Sequence, residues 1–112
     1  LAGMQNRTRV LVGDAHVLLQ TLVDEGPFDF VFIDAEKEGY SAYLDWALGN
    51  ISPGGVIVAH NVFRHGAIID PNDKEPRTRA MREFNQRLIA EENLISHVFP
   101  AGDGMAIAVV KP

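Results

Sequence analysis

The stretch 28–40, FDFVFIDAEKEGY, constrains this chain more than any other part of it. Its run Phe30-Val31-Phe32-Ile33 carries no charge and stops at Asp34. That is the pattern of a strand buried on both faces, delivering a carboxylate to the carboxyl edge of a parallel sheet. Ligands of open α/β sheets bind at that edge. Glu36, Lys37 and Tyr40 follow closely, ahead of a helix predicted over residues 41–48. An acid, a base and a phenol therefore converge at one strand end.

A second strand of the same kind is predicted at Val56-Ile57-Val58-Ala59, entered through the turn Ser52-Pro53-Gly54-Gly55 and left at His60-Asn61. Upstream, residues 1–6 read as the tail of a helix and Arg9-Val10-Leu11-Val12 as a short strand closed by Gly13-Asp14. Residues 15–24 space Val17, Leu18, Thr21 and Leu22 at helical intervals, which predicts a βαβ unit with the strand ending at Asp34. Residues 62–77 carry two prolines, Gly66 and mixed charges, a connection longer than the usual ~4–6 residues and so a candidate lid. Thr78 is placed to cap a helix over residues 79–92, with Met81, Phe84, Leu88 and Ile89 toward its buried face. The segments 95–99 and 105–110, joined through Gly102-Asp103-Gly104, are predicted to form an antiparallel hairpin.

Composition narrows the classes. A net charge of −5 and 46% hydrophobic residues over 112 positions describe one globular unit. No run approaches the ~20 apolar residues of a membrane span, and the first residues lack a secretory apolar segment, so a cytoplasmic protein without a membrane partner is expected. The absence of cysteine excludes a thiol nucleophile and thiolate metal sites, leaving oxygen and imidazole as metal donors. The acidic balance argues against nucleic acid as a partner. Arg77, Arg79 and Arg82 read as a solvated helix start beside Asp70, Asp73 and Glu75.

Asp34 at one strand end, with His60 and Asn61 at the next, could supply three facial ligands to a divalent cation. Oxygen-only sets suit Mg²⁺ or Ca²⁺, and an added imidazole tilts preference toward Mn²⁺, Fe²⁺, Co²⁺ or Zn²⁺. A plainer account has Asp34 capping a helix, His60 half-buried with a backbone partner and Asn61 making a turn. Spacing by itself leaves both open.

The segments FDFVFIDAEKEGYSAYLDWAL, SPGGVIVAHN and FPAGDGMAIAVVKP, in that order and spacing, resemble the metal-dependent O-methyltransferases of the catechol and caffeoyl-coenzyme A type. The resemblance runs from about Arg7 to the end. It implies an α/β, Rossmann-like methyltransferase fold that is partial, a mostly parallel sheet with a C-terminal antiparallel hairpin that lacks the first two strands. Residues 1–112 would be the C-terminal portion of a single such domain, and a first residue other than methionine fits a chain that begins inside a longer protein. The family's glycine-rich loop and its ribose-binding acid lie upstream. Also implied are S-adenosylmethionine as methyl donor, a divalent metal (Mg²⁺, Mn²⁺ or Ca²⁺), a small hydroxylated acceptor, typically an aromatic vicinal diol, and a homodimer.

Residue by residue, the resemblance makes Asp34 the first metal-binding aspartate and a cofactor contact, Asn61 the metal-binding asparagine and Lys37 the general base. Asp14, Ala15 and His16 fall on the segment that lines the adenine pocket. Tyr40 and Phe63 are the candidate aromatic walls for a substrate, with Trp46 assigned to packing. For Lys37 a surface pairing with Asp34 or Glu36 stands as the alternative to catalysis. His60 departs from the family, which typically has aspartate there. The lost ligand charge predicts weaker Mg²⁺ binding, a preference for imidazole-tolerant ions, or a domain that has given up catalysis and serves ligand binding or dimerisation. A metal hydrolase using Asp34, His60 and Asn61 ranks below both, since there is no serine elbow.

The family separates the strand matching residues 9–12 from the strand matching residues 30–33 by two upstream strands. For the chain alone, this predicts a filled gap, a displaced first strand, or a smaller sheet from Phe28 onward.

Overall fold

Phe28 is where sheet structure begins in the computed structural model, which describes residues 2–112. Strands β1 (Phe28–Ile33), β2 (Ile51–His60), β3 (Leu94–Phe99) and β4 (Met105–Val110) lie in the order β1-β2-β4-β3. β1 and β2 are parallel, with Ile33 opposite Ala59, and β4 runs antiparallel to both β2 and β3. Three of the four strands thus point one way, and the hairpin is antiparallel as expected.

Helices α1 (Ala15–Thr21), α2 (Tyr40–Asn50) and α3 (Pro76–Ala90) complete the fold. Tyr40, Leu44 and Ala47 of α2 and Met81, Phe84 and Leu88 of α3 are buried with Ile57, Ala59, Ala106 and Ala108 of the central strands. Their apolar residues recur at i, i+4 and i+7 in α2 and at i, i+3 and i+7 in α3, the stripe that lets a helix bury one side. Tyr40 meets Phe84 edge-on, ring centroids 5.3 Å apart. Among the described residues no helix is long and apolar enough to cross a membrane.

Four expectations are corrected. Residues 9–12 form no strand: Val10 is 86% and Val12 93% exposed, because a strand needs a partner and none is placed beside this segment. The outcome is the smaller sheet from Phe28 onward, and the βαβ unit does not form. The first helix stops at Thr21 and continues as a separate turn, Val23–Glu25, rather than running to Asp24. The segment 52–55 is a bulge within β2 rather than a turn before it, since Phe28 pairs with Ile51 and Phe30 with Val56. A Cβ on Gly55 would lie 2.6 Å from Ile51 Cγ1, so this bulge needs glycine.

Finally, α3 starts at Pro76, with Glu75 as its cap position, which places Thr78 inside the helix and fully buried. Proline is pre-set for the first helical position, and it outweighs threonine here. The predicted N-terminal helix tail includes residue 1, which lies outside the described residues; Gln5–Arg7 form a single 3-10 turn.

Candidate active site

The parallel pair β1 and β2 ends in register, so the residues that follow Ile33 and Ala59 emerge side by side at the carboxyl edge. His60 Nδ1 lies 3.6 Å from Asp34 Oδ1, and both side chains are partly exposed. Behind them Lys37 Nζ donates to Tyr40 Oη at 2.6 Å and to the His60 carbonyl at 3.4 Å. Tyr40 Oη in turn donates to the His60 carbonyl at 2.8 Å. Lysine, phenol and the end of β2 form one bonded unit, in place of the surface pairing of Lys37 with Asp34 or Glu36.

Burial pulls the Lys37 ammonium below its ordinary value, opposed by Asp34 and Asp103 and reinforced by Arg64. Burial likewise pushes the Tyr40 phenol well up, so it stays neutral and can both donate and accept. Tyr40 itself is fully buried, which corrects its expected place in a substrate wall: it holds Lys37 from within the core. Phe63 is half-buried and lines a cleft of about 620 Å³ with Ile68, Ile69, His65 and Asp103, below the connection from β2 to α3.

The expected cofactor residues divide. Ala15 and Asp34 line a second cleft of about 220 Å³, with Phe32, Tyr43 and Trp46. Asp14 caps α1, accepting from the His16 backbone N–H at 2.9 Å. The His16 ring stacks on Tyr43 with centroids 4.6 Å apart, and its Nε2 is 2.7 Å from Glu36 Oε1. Tyr43 Oη donates to the same carboxylate, at 2.8 and 2.9 Å. Trp46 packs as expected, donating from Nε1 to the Leu19 carbonyl at 3.0 Å.

Asp34, His60 and Asn61 suit a divalent ion in donor chemistry. Two ligands sharing an ion with bonds of ~2.1 Å sit about 3–3.5 Å apart, near the Asp34–His60 separation. No group of three or more His, Cys, Asp and Glu side chains among the described residues is placed to hold a metal, so Asn61 would have to be the third donor.

Two residues escaped the sequence reading. Asp103 reaches Asn61 Nδ2 at 3.4 Å and the His65 N–H at 2.6 Å, yet flanking glycines made it look like an ordinary turn residue. Arg82 is no solvated helix residue: it donates to the carbonyls of Ala67, Ile68, Asp70 and Asp73 at 2.5–3.1 Å. An arginine in the second turn of a helix, after a long loop, carries no sequence signal of that role.

Fold and site together describe an α/β domain whose parallel strand tips form a polar edge backed by a half-buried lysine bonded to a buried tyrosine. The sequence model of the O-methyltransferase family matches residues 1–111, and the chain belongs to that family. It is 40% identical over 117 residues to a catechol O-methyltransferase of Niastella koreensis, covering 98% of this chain and 53% of the relative. A catechol O-methyltransferase of Mycobacterium tuberculosis is 40% identical over 114 residues, covering 98% and 51%. The crystal structure of the O-methyltransferase from Bacillus cereus in complex with SAH superposes with a TM-score of 0.88 at 37% identity, covering 96% of this chain and 52% of that one. The chain spans about half the length of the curated relatives it matches. Its fold is the corresponding part of the Rossmann-like methyltransferase fold.

Proposed function

We propose that this chain carries the acceptor-activating half of an S-adenosylmethionine-dependent O-methyltransferase acting on a small hydroxylated compound, with a vicinal diol as the best-fitting class. The observation that carries the reading is the bonded unit of Lys37, Tyr40 and the His60 carbonyl beside the Asp34–His60 pair. S-adenosylmethionine would supply the methyl group, and a divalent cation, when bound, would polarise the acceptor oxygens. Asp34, His60 and Asn61 are the residues that would hold that cation.

The work of this chain's own residues follows from their placement. Lys37 Nζ takes the acceptor's hydroxyl proton while Tyr40 holds the amine at the edge of the sheet. Phe63, Ile68 and Ile69 offer apolar walls for a ring. Ala15 and Asp34 border the cleft in which part of the cofactor would sit. Fixing a reacting pair in this way can be worth ~7–11 kcal/mol of barrier, more than a general base alone supplies.

His60 favours a second reading, a ligand-binding module without turnover, since an imidazole stands where a carboxylate ligand is expected. Methyl transfer from labelled S-adenosylmethionine to a catechol by the full-length protein separates the two. Turnover that collapses in Lys37→Met supports methyl transfer; no turnover across a panel of diols, with cofactor still bound, supports the module.

A further inference from the structure

We propose that Asp103 is a positioning residue of this site: its carboxylate fixes the Asn61 side-chain amide so that the amide oxygen, not the nitrogen, is presented to the strand-end site. This deepens the reading of Asn61 as a ligand residue and rests on it. The turn that follows β2 is unusual, because Asn61, Arg64 and His65 all have left-handed backbones, with φ of 60°, 50° and 53°. Asparagine and histidine tolerate such backbones better than most residues, but with Arg64 among them the strain is offset by surrounding contacts.

Those contacts come from the β3–β4 turn. Val62 N–H donates to the Gly104 carbonyl at 3.2 Å and Phe63 N–H to the Asp103 carbonyl at 3.0 Å. The Asp103 carboxylate adds one bond with each oxygen, from His65 N–H to Oδ1 at 2.6 Å and from Asn61 Nδ2 to Oδ2 at 3.4 Å. Its side chain is 11% exposed, so little water competes for those oxygens. Gly104 permits the approach: a Cβ there would lie 2.7 Å from the Phe63 ring.

The amide orientation follows from the chemistry. A carboxylate only accepts, so the end of Asn61 that faces Asp103 must be the NH₂ group. The carbonyl oxygen is then left on the other side of the amide, as an acceptor for a hard cation or a substrate hydroxyl. An asparagine without this partner could present either end.

The test uses Asp103→Asn in the full-length protein, with three readouts. In wild type, the Asn61 side-chain NH₂ protons should exchange with solvent more slowly than those of the exposed Asn72. In the variant, the Asn61 NH₂ resonances should shift, and Mn²⁺ affinity by calorimetry should fall roughly 10–100-fold, as for other outer partners of metal ligands. Affinity for S-adenosylhomocysteine should stay within about twofold, which a general loss of structure would not allow. Unchanged Asn61 resonances, or wild-type exchange as fast as at Asn72, overturn the proposal. Should wild type bind no Mn²⁺, the metal reading fails and the amide resonances alone decide the positioning role. Should the variant not fold, the wild-type exchange decides it.

Discussion

Lys37 is poised by two opposing influences, burial that favours the neutral amine and the carboxylates of Asp34 and Asp103 that favour the ammonium, with burial the larger. A base must be unprotonated to act, so kcat should rise with pH along a limb centred below the ordinary lysine value of ~10.4. Lys37→Met should flatten that limb and lower kcat by about 10²–10⁴-fold while leaving cofactor affinity unchanged, as read from pH–rate profiles beside binding curves.

The His16–Glu36–Tyr43 cluster gives a stability prediction of defined sign. Burial alone would raise the Glu36 carboxyl, but the hydrogen bonds from Tyr43 and His16 outweigh it and hold it below its ordinary value. Its stabilisation is therefore present above the ordinary carboxylate range and disappears as pH falls through the depressed folded value. Tyr43 behaves oppositely: burial, then the bond to Glu36, push it up to about 12, so its contribution is present below ~10 and disappears as pH rises through the folded value. Because Glu36 is half-exposed, Glu36→Gln should cost less than ~1 kcal/mol at neutral pH, and urea unfolding should find the gap between variant and wild type narrowing as pH falls below the ordinary carboxylate range.

At the scale of elements, Arg82 ties α3 to the connection from β2, and the carbonyls it holds belong to the stretch that walls the larger cleft. Arg82→Ala should destabilise the protein by about 2 kcal/mol and speed amide exchange through residues 67–73, with a raised KM for the acceptor and little change in KM for the cofactor. Elements whose partners lie near in sequence were legible as strands: Phe30 to Ile33 and Val56 to Ala59 pair because each finds the other across one helix. The expected burial of both faces holds for Ile57 to Ala59 and fails on β1, where Ile33 alone is buried. Phe30 and Phe32 are exposed because, among the described residues, no strand lies beyond that edge. Asp34, His60 and Asn61 were legible for the same reason, as polar residues at the ends of apolar runs. Residues 9–12 have the same strand-like composition and no adjacent strand, and composition cannot supply a partner. The roles of Asp103 and Arg82 depend on contacts across 42 and 9–15 residues, which no local pattern encodes.

For the whole molecule, the four-stranded sheet ends in two edge strands, β1 and β3. Among the described residues no strand pairs with the outer edge of β1, and Phe30 and Phe32 on that strand are 58% and 50% exposed. Such an edge pairs readily with another chain. The 112-residue chain by itself should self-associate with rising concentration, and Phe32→Lys should suppress this in light scattering. The open edge lies beside the cleft bordered by Ala15 and Asp34, so the chemistry is best measured on the full-length protein.

The account rests on the two strand tips acting as one site. Its most direct test is calorimetric titration of Mn²⁺ into the full-length protein and its Asp34→Ala variant, each with S-adenosylhomocysteine present. The prediction is one ion bound by wild type and none by Asp34→Ala; equal binding by both proteins, or none by either, would contradict it.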